Sequence, residues 1–367
     1  MKVITFSYLH NVEDILKNIP PGNINEKLWI SPATEIVSDC YVLPEALRVL
    51  EDIVISLGYA LCNVTLVLND TIHIDINTTR FRVIYINFFR LQTYYSKYFT
   101  DQEFSSEWNP VNCALFLMGK PYKQHRAPML YALIQQGVKE ARLNYSFHSD
   151  PGTKLFQEAA CVFNQVYPEV SYAQFSQQYR HTTNHIIPMV NSDGTNFHYS
   201  GFPFDPNQYR QTSLSVISET DLDHKTSIDH YTTAWNTEKT WRAIANHHPF
   251  TLVSHQYLPK MLLRKGYEIW DRFFKYTHEV VLTSETVRGL LEKSAENVDY
   301  FLDVCWDNQD TIQVLTKHNA DLMDQHCRGE IASGFNNDIG EFKEFMSRAM
   351  LPNLDGDVTL QFRKITD

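Results

Sequence analysis

The sequence predicts an α/β protein with a parallel sheet in its C-terminal half, and three observations lead there. First, 367 residues exceed what one small core needs and suit two domains of ordinary size. Second, "CALFLMG", "HRAPMLYALIQQG" and "ARLNYSF" follow one another as buried strand, helix and strand. Third, the rhythm returns as "SLSVISET", a helix opening at Thr237, "PFTLVS", the helix "LPKMLLRKG" and a strand "YEIW". Short apolar strands separated by helices pair in parallel through right-handed crossovers.

Taken in order, the first hundred residues give a compact α/β unit. "VTLVLND", "TIHIDI" and "FRVIYINFF" alternate or cluster as strands do, and "PEALRVLEDIVISLG" has helical spacing capped by Gly58. The polar, Pro-containing stretch "SSEWNPVN" marks a boundary, so domains are expected at 1–110, 111–285 and, for the amphipathic helices of the tail, 286–367. After the first strand-helix-strand unit comes the helical "TKLFQEAACVFNQVY". A polar connection from about Arg180 to Gln211 follows, turn-rich and of the length that borders a site.

Composition narrows the function. Charged residues are 20% and hydrophobic ones 43%, which is globular, and the net charge of -11 weighs against a broad nucleic-acid-binding face. The apolar start is broken by His10, Asn11, Glu13 and Asp14, and no later window reaches about 18 apolar residues, so neither a signal peptide nor a membrane span is expected. Six scattered cysteines without CxxC spacing read as reduced core residues, and the cytoplasm is the expected compartment. Fifteen histidines form no HExxH, so no metal ligands are assigned.

The chemistry concentrates in "TEKTWRAIANHHPF". Trp241, Ile244 and Ala245 share the core face of that helix, and Thr237 is placed to cap it. Glu238 in the first turn suits the helix dipole, whereas Lys239 opposes it. With Arg242 one turn along, free N–H groups and two cations make a site for phosphate. A nucleoside diphosphate supplies that anion, and its ribose hydroxyls supply donors for Glu238. Glu219, at a strand end, and Trp235 belong to the same edge.

The stretch Ser213 to Ser254 resembles the donor-binding region of the α1,3-fucosyltransferase family, in which a strand ending in Phe-Glu-Asn precedes a Thr-Glu-Lys-x-Trp helix and a Pro-Val-Val strand. The counterparts are "SVISET", "NTEKTWRAI" and "PFTLVS". The segment "ALFLMGKPYKQHRAPMLYALIQQG" is similar to the strand, basic loop and helix of phage and giant-virus relatives, placing Lys120, Lys123 and Arg126 at the diphosphate. The resemblance covers about residues 113–275. It implies two Rossmann-like halves in the GT-B arrangement and an inverting, metal-independent transfer from a nucleotide-diphosphate sugar; the acceptor lies outside the resemblance, and the acidic charge makes a glycan or small molecule the expected one. No cofactor beyond the donor is implied. Gly119-Lys120 stands where Asn-Arg is usual and Ser218-Glu219-Thr220 replaces Phe-Glu-Asn, so base and sugar do not carry over.

An inverting transfer needs a carboxylate base from the N-terminal half, for which Glu35 and Asp39 in "SPATEIVSDC" are the candidates. Two alternatives remain open. Asp221 and Asp223 in "ETDLDHK" form a DxD that could hold a divalent metal, and the chain could bind nucleotide sugars without turning them over.

Overall fold

The computed structural model describes residues 2–6, 19–32, 44–69, 79–118, 125–136, 138, 142–147, 151–179, 206–219, 237–254, 257–274 and 283–350. The chain divides into two compact units, one built mainly from Met1–Thr100 and Gln325–Asp367, the other mainly from Asp101–His198 and Phe202–Asp324.

The first unit carries a four-stranded parallel sheet of β1 (Lys2–Phe6), β2 (Leu28–Pro32), β3 (Val64–Asn69) and β4 (Arg82–Ile86), in that spatial order. Helix α1 (Pro44–Ser56) precedes β3, and α2 (Phe88–Phe99) follows β4. Successive side chains of a strand face opposite ways, and β2 is apolar on both faces. Leu28 and Ile30 join Leu47, Leu50 and Val54 of α1 in one core cluster, while Trp29 points to the other side. Gly58 ends α1 at φ +95°, with its N–H on the Ile55 carbonyl at 2.9 Å. A Cβ there would lie 2.7 Å from the Gly22 backbone oxygen, so the expected glycine stop is required by space as well as by φ.

The "FRVIYINFF" run is not all strand. Asn87 accepts the Arg90 N–H at 3.0 Å and caps α2, so "NFF" opens a helix that apolar patterning alone concealed. "TIHIDI" lies outside the described residues.

The second unit carries β5 (Ala114–Leu117), α3 (Arg126–Gln135), β6 (Leu143–Ser146), α4 (Lys154–Val166), α5 (Tyr172–Tyr179), α6 (Asn207–Arg210), β7 (Leu214–Ser218), α7 (Glu238–Ala245), β8 (Phe250–Val253), α8 (Tyr257–Arg264) and α9 (Ser284–Val304). Its four parallel strands run β6-β5-β7-β8. All five β7 residues are buried, as in a parallel strand covered on both faces.

"YEIW" does not form a strand. Asn319 holds that segment instead, accepting the Glu268 N–H at 2.8 Å and donating to the Glu268 carbonyl at 2.9 Å. Trp270 then turns to φ +67°, its N–H on Glu268 Oε1 at 2.8 Å. An asparagine side chain thus satisfies the backbone groups a neighbouring strand would have paired.

The tail forms helices, as its amphipathic pattern predicts: α9, then α10 (Gln309–Phe335) and α11 (Ile339–Met350). They do not form a body of their own. Residues up to Asp324 belong to the second unit and those from Gln325 to the first, where Phe335 stacks on Trp29 at 5.1 Å and Phe345 lies 5.2 Å from it. None of the described helices is long and apolar enough to cross a membrane. Of the cysteines, Cys305 and Cys327 are core residues, but Cys62 and Cys161 are exposed.

Candidate functional site

In the second sheet the chain leaves β5 toward β6 on one side and β7 toward β8 on the other. The carboxyl ends of β5 and β7 therefore flank a topological switch point, where side-by-side loops part and leave a crevice. Crossovers of the usual right hand put α3 and α7 on opposite faces of the sheet, with both N-termini at this edge. His125 joins the two arms, donating from Nε2 to the Glu219 carbonyl at 2.8 Å.

Glu219 follows β7 and is fully buried. Its N–H continues the ladder onto the Val253 carbonyl at 3.0 Å. Its carboxylate reaches the start of α7: Oε1 accepts the Thr237 N–H at 3.0 Å and the Thr240 hydroxyl at 2.6 Å, and Oε2 accepts the Thr237 hydroxyl at 2.6 Å. Thr237 is the N-cap, as the sequence predicts, and a side chain from the neighbouring strand anchors that cap and the first turn behind it. The Thr237 oxygen accepts the Lys239 N–H at 3.5 Å, a long contact.

Around this helix start lie the cations. Lys239 does not extend into water: its side chain is 21% exposed, and its ammonium donates to Thr237 Oγ1 at 3.1 Å and pairs with Glu238 Oε1 at 3.6 Å. Burial pushes the Glu238 carboxyl up, yet Lys239, Arg242, a backbone N–H and Arg126 together outweigh it and hold the group down at about 2. Arg126, at the first position of α3, is almost fully buried. Residues from both helix starts thus act on one carboxylate.

The structure therefore brings together Arg126, Glu219, Thr237, Glu238, Lys239 and Arg242. Glu219 takes a different part from the one expected, because three of its acceptor positions are filled by the protein's own donors. Glu35, Asp39, Lys120, Lys123, Asp221, Asp223 and Trp235 lie outside the described residues. Among the described residues no group of three or more His, Cys, Asp or Glu side chains gathers as a metal site.

Sequence reasoning missed three residues here. Tyr209 on α6 is buried, and burial pushes its phenol up to about 12, with Arg242 opposing and Glu238 adding to the shift. Thr240 reads as a spacer in "TEKT" until Glu219 is seen to bind it. Ser218, the residue before Glu219, is fully buried, and its hydroxyl has no hydrogen-bond partner among the described residues. Since Glu219 faces α7, alternation along the strand sends Ser218 to the α3 side of the same edge.

Behind the helix, His248 is the counterpart of Glu219. Its Nε2 donates to the Thr212 carbonyl at 2.7 Å and its Nδ1 accepts the Ser215 hydroxyl at 2.9 Å, so the neutral ring is fully satisfied. Burial, against weaker opposing backbone contacts, lowers its pKa to about 4. The unfolded chain, with a pKa near 6.5, takes up the proton first as pH falls, so stability is intact above about 6.5 and lost toward 4. Urea unfolding should show about 2 kcal/mol less stability at pH 5 than at pH 7. His248→Gln should flatten that window, and an unchanged slope in the variant would rule His248 out as its origin.

Comparison with protein-family profiles, curated proteins and solved structures finds no match to this chain.

Proposed function

We propose that the chain is a glycosyltransferase of GT-B arrangement, with two Rossmann-like halves, that moves a sugar from a nucleotide-diphosphate sugar to an acceptor hydroxyl. The observation that carries this reading is the gathering of Arg126, Lys239 and Arg242 about the α7 N-terminus at the switch point. Three cations against the two carboxylates Glu219 and Glu238 still leave a surplus of positive charge, which favours an anion such as a pyrophosphate diester. Glu238, ionised throughout the physiological range, can only accept hydrogen bonds, which suits it to ribose hydroxyls.

As the bond from the anomeric carbon to the phosphate oxygen breaks, the sugar becomes oxocarbenium-like and charge grows on the departing diphosphate. Cations and helix N–H groups already in place bind that charge more strongly in the transition state than in the ground state. The acceptor oxygen bonds to the anomeric carbon from the opposite face and gives its proton to a carboxylate, for which Glu35 and Asp39 remain the candidates. A glycan or small molecule is the proposed acceptor.

Calorimetric titration with UDP and GDP in the presence of EDTA, followed by assay of sugar-donor hydrolysis, tests this reading. Binding of at least one nucleotide and turnover in chelator are expected. Binding without turnover would make the protein a nucleotide-sugar-binding module. Activity abolished by EDTA would move the chemistry to a metal at Asp221 and Asp223, and absence of any binding would overturn the assignment.

A further inference from the structure

The fully buried Glu219 is enclosed in the protein's own hydrogen bonds and touches the helix start through Thr237 and Thr240. Thr237 Oγ1 has one hydrogen and two lone pairs. The 2.6 Å contact to Glu219 Oε2 commits the hydrogen inward, because a carboxylate oxygen can only accept. Both lone pairs then face the helix start, where they receive the Lys239 ammonium at 3.1 Å and, more weakly, the Lys239 N–H at 3.5 Å.

We infer that Glu219 and Thr237 form a relay that sets the Lys239 ammonium in place, making both of them positioning residues of the anion site. Without an inward acceptor the hydroxyl would be free to turn its hydrogen toward the ammonium. With the relay, a flexible lysine is held over the first turn of α7 before any anion arrives, and less side-chain entropy is lost on binding. Glu238 cannot replace Thr237 in this role, since its pairing with Lys239 is longer, at 3.6 Å, and is shared with Arg242 and Arg126.

The same geometry predicts that Gln does not substitute for Glu at 219. An amide nitrogen facing Thr237 would add a third donor to two lone pairs already in use. The flipped amide would set that nitrogen against the Thr237 N–H.

This inference rests on the anion-site reading for its consequence, not for its geometry, so two readouts separate them. The first needs no ligand: acylation of Lys239 in the folded protein by a water-soluble amine-reactive ester, followed by peptide mass spectrometry. The rate should rise about threefold or more in Thr237→Val and Glu219→Gln, and stay near that of the unaltered protein in Thr237→Ser. The second is affinity for UDP in EDTA. Thr237→Val should weaken it about tenfold, Thr237→Ser should restore it, and Thr237→Val with Lys239→Ala should be no weaker than Lys239→Ala alone. Thermal unfolding confirms that each variant is folded. Unchanged acylation in Thr237→Val would overturn the relay whatever binds. Altered acylation with UDP affinity indifferent to both Thr237→Val and Lys239→Ala would uphold the relay and overturn the anion site.

Discussion

Lys239→Ala should lower kcat/KM for transfer from the nucleotide sugar by about 2–4 kcal/mol, a loss of tens to about a thousandfold. The effect is large because the ammonium is held at the first turn of α7, 3.1 Å from Thr237 Oγ1, where the helix dipole already favours an anion. Removing it strips a fixed charge from the departing diphosphate and leaves Glu238 with less to balance it. Most of the loss is expected in kcat, since charge on the leaving group is greatest in the transition state. Steady-state kinetics on folded protein decide the matter, and a loss under tenfold removes Lys239 from the mechanism.

Glu219→Ala should destabilise the second unit by about 3–5 kcal/mol, measured by denaturant unfolding with its slope unchanged. The variant leaves the Thr237 N–H, the Thr237 hydroxyl and the Thr240 hydroxyl without their acceptor, all at buried positions. It also frees the α7 N-terminus from β7. A cost below about 1 kcal/mol would mean that water replaces the carboxylate and that the clamp is not structural.

Much of this fold is legible in the amino-acid order. The β5, α3 and β6 run and the β7, α7 and β8 run read directly, because helices and buried strands differ in period and length within a few residues. The misreadings have physical causes. "YEIW" has strand composition, but Asn319, some fifty residues on, takes its backbone hydrogen bonds. "NFF" joins an apolar run, yet Asn87 caps a helix there, and aromatic residues accept either state when packing decides. Cys62 and Cys161 are exposed because residue type gives only an average burial.

The candidate site divides along the same line. The anomaly of Lys239 beside Glu238 at a helix start is a local electrostatic fact, and the sequence by itself determined it. It also determined that Trp241, Ile244 and Ala245 would turn inward, since helical spacing leaves them no other common face. Only the tertiary structure decided that β7 lies beside β5, that Arg126 reaches the field of Glu238, and that Glu219 clamps Thr237 rather than facing a ligand. Strand order and the aim of a buried carboxylate depend on contacts between residues far apart in the chain, and no local pattern of propensity or charge encodes them.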